Sequence, residues 1–109
     1  MIIDILKCHG SGNDFVLVDE TERELGLDEP SRVRLVTELC RRGGLIGSDG
    51  MLFVQRSAVA GADAKMRFFN TDGSEAEMCG NGVRCVGRYV AEKTGKDEVV
   101  IETMRRSIP

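Results

Sequence analysis

Residues 78–82 read Met-Cys-Gly-Asn-Gly, a lone thiol set against a Gly-Asn-Gly turn just ahead of a stretch with helical periodicity. Glycine and asparagine are poor helix formers, so their presence there needs a reason other than helix stability. A cysteine beside the first turn of a helix meets uncovered backbone N–H groups and the positive end of the helix dipole, and both favour thiolate over thiol. Gly80 and Gly82 let the backbone turn tightly and leave N–H groups bare, so the same turn can form an anion-binding nest for a carboxylate. A thiolate beside a carboxylate-sized anion hole is a reaction site. The bland alternative for Cys79 is a small buried apolar residue, the usual state of a free cysteine. The flanking glycines weigh against it.

Other residues with chemical potential have plainer readings. Asn13 and Asn70 each sit where a turn would be satisfied by asparagine anyway. Asn81 is flanked by glycine on both sides and has no core to join. Ser74 and Glu77 fit a capping box, a structural role that stands beside a functional one. His9 is the single histidine of the chain, which excludes sites built from several and leaves a hydrogen-bonding role in a loop. Cys79 and Cys85 are six residues apart, and neither Cys8 nor Cys40 has a metal-ligand spacing, so no metal site is expected. The stretch Gly-Ser-Gly-Asn-Asp lacks the glycine spacing and the lysine of a phosphate loop.

The bulk composition restricts the partners. With 109 residues, 41% hydrophobic and 30% charged, the chain is long enough for one domain with a thin core. A net charge of -3 with scattered arginines offers no basic face for a phosphate backbone, so nucleic acid is not an expected partner. No apolar run approaches the roughly 20 residues that cross a bilayer, and the opening MIIDILKCHG lacks the pattern of a signal peptide. The expected location is the cytoplasm, where the four cysteines, with no CxxC pair, remain free thiols.

The elements that must position the Cys79 turn follow from periodicity. IIDILK and DFVLVDE read as two strands of a hairpin around a Gly-rich loop. Asp28 to Arg42 places Val33, Val36, Leu39 and Cys40 at helical spacing after an Asp and a Pro-containing first turn. GMLFVQR and AKMRFFN are strands, the second running directly into the turn NTDGS. Val83, Val86 and Val90 define a half-buried helix from Val83 to Lys93, and EVVIET a last strand. The order strand, strand, helix, strand, strand, helix, strand makes an α+β domain whose sheet wraps a helix.

Taken together, HGSGNDFVLVD, GSDGMLFV and above all FFNTDGSEAEMCGNGVRCVGRYV resemble the diaminopimelate epimerase family, from Ile3 to Thr103. The resemblance implies two similar α/β halves, each a mixed or antiparallel sheet around a central helix, with the substrate in the cleft between them. Residues 1–109 resemble the N-terminal half alone. It further implies that Cys79 is one of two cysteines exchanging a proton at the α-carbon of diaminopimelate, converting the LL to the meso form without pyridoxal phosphate, metal or other cofactor, in the service of lysine and cell-wall precursor synthesis. Asn13, Asn70 and Asn81 fall where the family places substrate-binding asparagines, and Gly80 and Asn81 would offer backbone N–H groups to the reacting end of this amino-acid substrate. Many members carry glutamine where Gly50 stands, and Cys8 and Ser11 replace the more usual methionine and leucine. The closing ETMRRSIP lacks the Ala-Gly turn expected after the last strand, which reads as a truncation, a boundary of expression or a frameshift.

Inverting a stereocentre through a carbanion needs one group to remove the proton and another, on the opposite face, to return one. Cys85, about 600° further round a helix at about 100° per residue, cannot bracket one substrate with Cys79 and reads as core, as does Cys40. The second thiol would come from a C-terminal half or from a second copy in a homodimer. Three other readings stay open: a cofactor-independent racemase of another amino acid on the same scaffold, a truncated non-catalytic binding domain with an exposed apolar face, and a thiol-redox protein, which lacks a resolving cysteine at CxxC distance.

Overall fold

The computed structural model describes residues 5–10, 13–21, 26, 28–40, 50–76, 80–103 and 107–108. In chain order the elements are β1 (Ile5–Gly10), β2 (Asn13–Asp19), α1 (Glu29–Cys40), β3 (Gly50–Gln55), β4 (Ala64–Asn70), β5 (Glu75–Ala76), α2 (Gly80–Thr94), β6 (Ile101–Glu102) and β7 (Ser107–Ile108). Strands run in the order β1-β2-β3-β4-β6-β7, with β5 also paired to β4. The sheet is mixed. β2 pairs parallel with β3 and β4 parallel with β6, whereas β1–β2, β3–β4, β4–β5 and β6–β7 are antiparallel.

The two parallel steps, β2 to β3 through α1 and β4 to β6 through α2, move across the sheet in one direction on strands that point opposite ways. Right-handed crossovers then require the helices to lie on opposite faces, and they do. On one face α2 contributes Cys85, Val86 and Val90 to a core with Phe15, Leu17, Leu52, Val54, Ala64, Met66, Phe68 and Ile101. On the other, Val36 of α1 packs among Val16, Val18, Met51, Phe53 and Phe69. Alternation along β2 and β3 sends successive side chains to the two cores, so both strands read as continuous apolar runs. α2 touches β1, β2, β3, β4 and β6, which makes it the helix that the sheet wraps.

α1 begins where Asp28 caps it, its carboxylate accepting a hydrogen bond from the Ser31 N–H at 2.8 Å. Arg32, one turn in, is buried and forms a two-point ion pair with buried Glu20 at 3.0 and 3.2 Å. Gln55 donates to the same carboxylate at 2.8 Å, and the Arg32 guanidinium lies 4.6 Å over the Phe53 ring. This cluster ties α1 to the ends of β2 and β3.

Several boundaries differ from the sequence expectation. β1 continues through His9 to Gly10, residues read as a turn, and pairs Gly10 with Asn13. α2 starts at Gly80 rather than Val83, and the EVVIET strand shrinks to Ile101–Glu102. β5 and β7, two residues each, were not expected. The capping box is overturned: Ser74 precedes the strand β5, not a helix, and its hydroxyl donates to Asp72 at 2.6 Å. Glu77 lies outside the described residues, as do Arg41 and Arg42.

Asp19 closes β2 and holds the far end of α2. It accepts hydrogen bonds from Tyr89 at 2.5 Å, from Lys93 at 2.7 Å and from the Thr21 hydroxyl at 2.6 Å. Burial alone would raise its pKa, but the bonds from Lys93, Thr21 and Tyr89 outweigh it and hold the carboxyl at about 2, below 3.8. A depressed folded-state pKa means that the stabilisation is complete above the unfolded value and disappears as pH falls from about 4 through about 2. Urea midpoints measured across that window should fall with acid in the parent chain and fall less steeply in Lys93→Met.

Candidate functional site

Register gathers the site positions at one end of the sheet. Phe15 lies opposite Gly50, and Gly50 opposite Asn70. Asn13, which opens β2, Gly50, which opens β3, and Asn70, which closes β4, are therefore neighbours at that end. By strand alternation positions 13, 50 and 70 belong to the set of Phe15, Leu52 and Phe68, the face that carries α2.

The Asp19 clamp fixes the direction of α2. Lys93 is bonded to Asp19 at the opposite end of β2. From Lys93 back to Gly80 the helix rises about 20 Å, and β2 covers about the same length from Asp19 back to Asn13. Gly80 and Asn81, in the first turn of α2, thus lie at the end of the sheet that carries Asn13, Gly50 and Asn70. The first turn of an α-helix presents N–H groups without intrahelical partners, and that of α2 contains no acidic residue to neutralise the dipole. Gly80 is exposed, and no described residue comes within 4 Å of where a Cβ would stand. Cys79 itself lies outside the described residues.

The turn leading there is tightly braced. The Asn70 N–H donates to the Ser74 carbonyl at 2.8 Å, the Gly73 N–H to the Asn70 carbonyl at 2.9 Å, and the Asn70 side-chain amide to the Ser74 hydroxyl at 3.1 Å. Ser74 N–H donates to Asp72 at 2.8 Å, and the Ser74 bonds keep that carboxyl below its ordinary range. Asn70 is exposed, so its amide, although engaged in the turn, is reachable from the sheet end. Gly73 has φ +90° and is buried against α1, where a Cβ would stand 2.7 Å from Val33 Cγ1 and 3.0 Å from Thr37 Cγ2. Gly73→Ala combines backbone strain with overpacking and should cost on the order of 2–4 kcal/mol, read as a lowered urea midpoint.

Gly50 has a steric explanation. A Cβ there would meet Phe68 Cε1 at 2.6 Å and the Phe69 carbonyl at 2.9 Å. The Phe68 ring, packed edge-on against Phe15 with centroids 5.8 Å apart, fills the space that a side chain at position 50 would use.

Cys85 is buried in the α2 core, as expected from its spacing. The side chains of Cys8, His9, Asn13, Cys40 and Asn81 lie outside the described residues. Sequence reasoning passed over Arg67 and Glu75. Arg67 Nε and Nη2 donate to the two Glu75 oxygens at 2.9 and 2.8 Å, and Nη1 and Nη2 to Glu29 at 3.0 and 2.8 Å. A hairpin register across the NTDGS turn puts Arg67 and Glu75 in diagonal positions on one face, a signal the sequence carried.

Comparison with known proteins gives this architecture a family. The family model described as diaminopimelate epimerase matches residues 5–106. The diaminopimelate epimerase of Clostridium acetobutylicum is 57% identical over 103 residues, covering 94% of this chain and 30% of that protein. That of Archaeoglobus fulgidus is 52% identical over 93 residues, covering 85% and 32%. The chain spans about a third of the length of the curated relatives it matches. Among solved structures, a Bacillus anthracis phenazine biosynthesis protein of the PhzF family superposes with a TM-score of 0.64 at 27% identity, covering 98% of this chain and 33% of that one. Methylitaconate-delta-isomerase superposes with a TM-score of 0.74 at 17% identity, covering 93% and 31%, a likeness of fold. With the family model matching nearly end to end and relatives more than half identical, the chain belongs to the diaminopimelate epimerase family.

Proposed function

We propose that this chain is the N-terminal half of a diaminopimelate epimerase that inverts the α-carbon of LL-diaminopimelate to give the meso form in lysine biosynthesis, in the cytoplasm and without a cofactor. The Cys79 thiolate removes the Cα proton from one face. The electron pair passes into the adjacent carboxylate, and a second thiol delivers a proton to the opposite face, so the reaction is a net isomerisation with no redox change. That second thiol comes from a C-terminal half or from a second copy of the chain. Asn13, Asn70 and Asn81 bind the substrate's polar groups, and the backbone N–H groups at Gly80 and Asn81 meet the charge that accumulates on its carboxylate.

The observation that carries this reading is the convergence of Asn13, Asn70 and the glycine-rich, acid-free start of α2 at one end of the sheet, in a chain whose family is named for the reaction. A thiolate is a weak base toward a Cα–H, so the site must be closed to water and the carboxylate held fixed. The shared length of about a third with the relatives supports the need for a further part. Substrate profiling tests the assignment: the protein completed by its C-terminal half should epimerise diaminopimelate in preference to alanine, glutamate or proline. Preference for one of these monocarboxyl-terminated or shorter amino acids would replace the assignment by an amino-acid racemase on the same scaffold.

A further inference from the structure

We infer that Asp72 and Ser74 are positioning residues: together they decide which end of the Asn70 side-chain amide turns outward, and that end is the carbonyl oxygen, an acceptor for a substrate ammonium group. The inference rests on the proposed role of Asn70 in substrate binding. The two ends of an amide match in shape but not in chemistry, one being an acceptor and the other a double donor. The Ser74 hydroxyl carries a single proton, and its Oγ lies 2.6 Å from Asp72 Oδ1. Held below its ordinary range by that hydroxyl and by the Ser74 N–H, the Asp72 carboxyl is ionised at neutral pH and can only accept. The hydroxyl proton therefore belongs to Asp72. Ser74 Oγ is left with lone pairs alone to offer Asn70, whose Nδ2 stands 3.1 Å away. An amide oxygen in that place would set acceptor against acceptor. The Asn70 nitrogen is thus fixed inward, and its Oδ1 has no hydrogen-bond partner among the described residues.

The relay from Asp72 through Ser74 to Asn70 stands on a firm base. Backbone bonds from the Asn70 N–H to the Ser74 carbonyl and from the Gly73 N–H to the Asn70 carbonyl close the turn, and Gly73 wedges it against Val33 and Thr37 of α1. None of these contacts uses the Ser74 hydroxyl, so the turn survives its loss while the amide is released. Asn70 closes β4 at the end of the sheet where α2 begins. The first-turn N–H groups of α2 suit a carboxylate, whereas an outward carbonyl oxygen repels one and suits an N–H donor. In an amino acid at neutral pH those donors are its ammonium groups. Substrate anion and substrate cation thus find opposite partners at one end of the sheet.

The test is the steady-state kinetics of diaminopimelate epimerisation in the protein completed by its C-terminal half, with variants at positions 70, 72 and 74, all exposed and outside the core. Asn70→Leu, similar in size but without polar ends, should raise KM by about 10–100-fold, the worth of a hydrogen bond to a charged group. Asn70→Asp keeps an oxygen facing outward and should raise it less. With the nitrogen outward against a substrate carboxylate the order would reverse, because Asn70→Asp would then bring like charges together. Ser74→Ala frees the amide to turn and should raise KM about 3–10-fold with kcat held within about twofold. Ser74→Thr, which keeps the hydroxyl, should recover most of that loss. Asp72→Ala should act as Ser74→Ala does, and the two together should raise KM no further than Ser74→Ala alone, since Asp72 works through Ser74. An Asn70→Asp KM equal to or above that of Asn70→Leu, an unmoved KM in Ser74→Ala, or additive losses at positions 72 and 74 overturns this inference alone. A completed parent protein that does not epimerise diaminopimelate overturns it together with the proposed function.

Discussion

Cys79→Ala, introduced into the protein completed by its C-terminal half, should lower the proposed LL-to-meso conversion by about 10²–10⁴-fold or more, the range associated with loss of one proton-transfer group. On the proposed mechanism the substitution deletes the base for one direction and the acid for the other, so both directions should fail together, unlike the loss of a binding residue. Binding should change little, because the proposed carboxylate nest would be made by backbone N–H groups at Gly80 and Asn81, which alanine at position 79 does not remove. The expected pattern is a collapsed kcat with a nearly constant KM, measured by following chiral separation of the isomers. Residual isotope exchange, where present, should be confined to the isomer whose Cα–H faces the second thiol. Conversion at the parental rate would remove Cys79 from the mechanism.

Arg32→Met should destabilise the fold by on the order of 3–5 kcal/mol, the cost of leaving one partner of a buried ion pair without the other. Glu20 is 2% and Arg32 5% exposed, so water cannot replace the missing guanidinium. The remaining carboxylate keeps Gln55, which is a neutral donor and offsets only part of the charge. Against a total margin of about 5–15 kcal/mol for a domain of this size, such a loss is close to unfolding. The double variant Glu20→Leu with Arg32→Met removes both charges and should recover most of the stability, since pairs of this kind are often replaceable by apolar residues of similar volume. Urea unfolding of the two single variants and the double variant provides the cycle; additive losses would show that the two side chains are energetically independent.

Much of this molecule was legible from its residues. Val36 of the first helix and Val86 and Val90 of the second lie in the two cores as their spacing indicates, and the strands GMLFVQ and AKMRFFN appear where apolar β-rich runs place them. The misses share a cause. β5 and β7 have two residues each and exist because a neighbouring strand edge is available, information that no local window contains. α2 takes in Gly80, Asn81 and Gly82 despite their low propensity because its later turns are fixed by the core and by Asp19; tertiary anchoring overrides a first-turn preference. Ser74 and Glu77 matched a capping pattern, but the turn before Ser74 feeds a strand. The buried Glu20–Arg32 pair was invisible because charged residues are ordinarily read as surface. For the site, the Cys-Gly-Asn-Gly pattern pointed to the end of a helix and the fold brings Asn13 and Asn70 to that same end, while Arg67 was overlooked because its partner lies across a turn.

The most direct test of the central claim is deuterium incorporation at the α-carbon of LL- and meso-diaminopimelate in D₂O, followed by NMR, for the 109-residue chain, for the protein completed by its C-terminal half, and for the completed protein carrying Cys79→Ala. Cys79 as one of two acid–base thiols predicts exchange from both isomers in the completed protein and its loss, from at least one isomer, in Cys79→Ala. Exchange by the short chain that disappears in its own Cys79→Ala form would assign the second thiol to another copy. Absence of exchange in the completed protein, or undiminished exchange from both isomers without Cys79, would contradict the account.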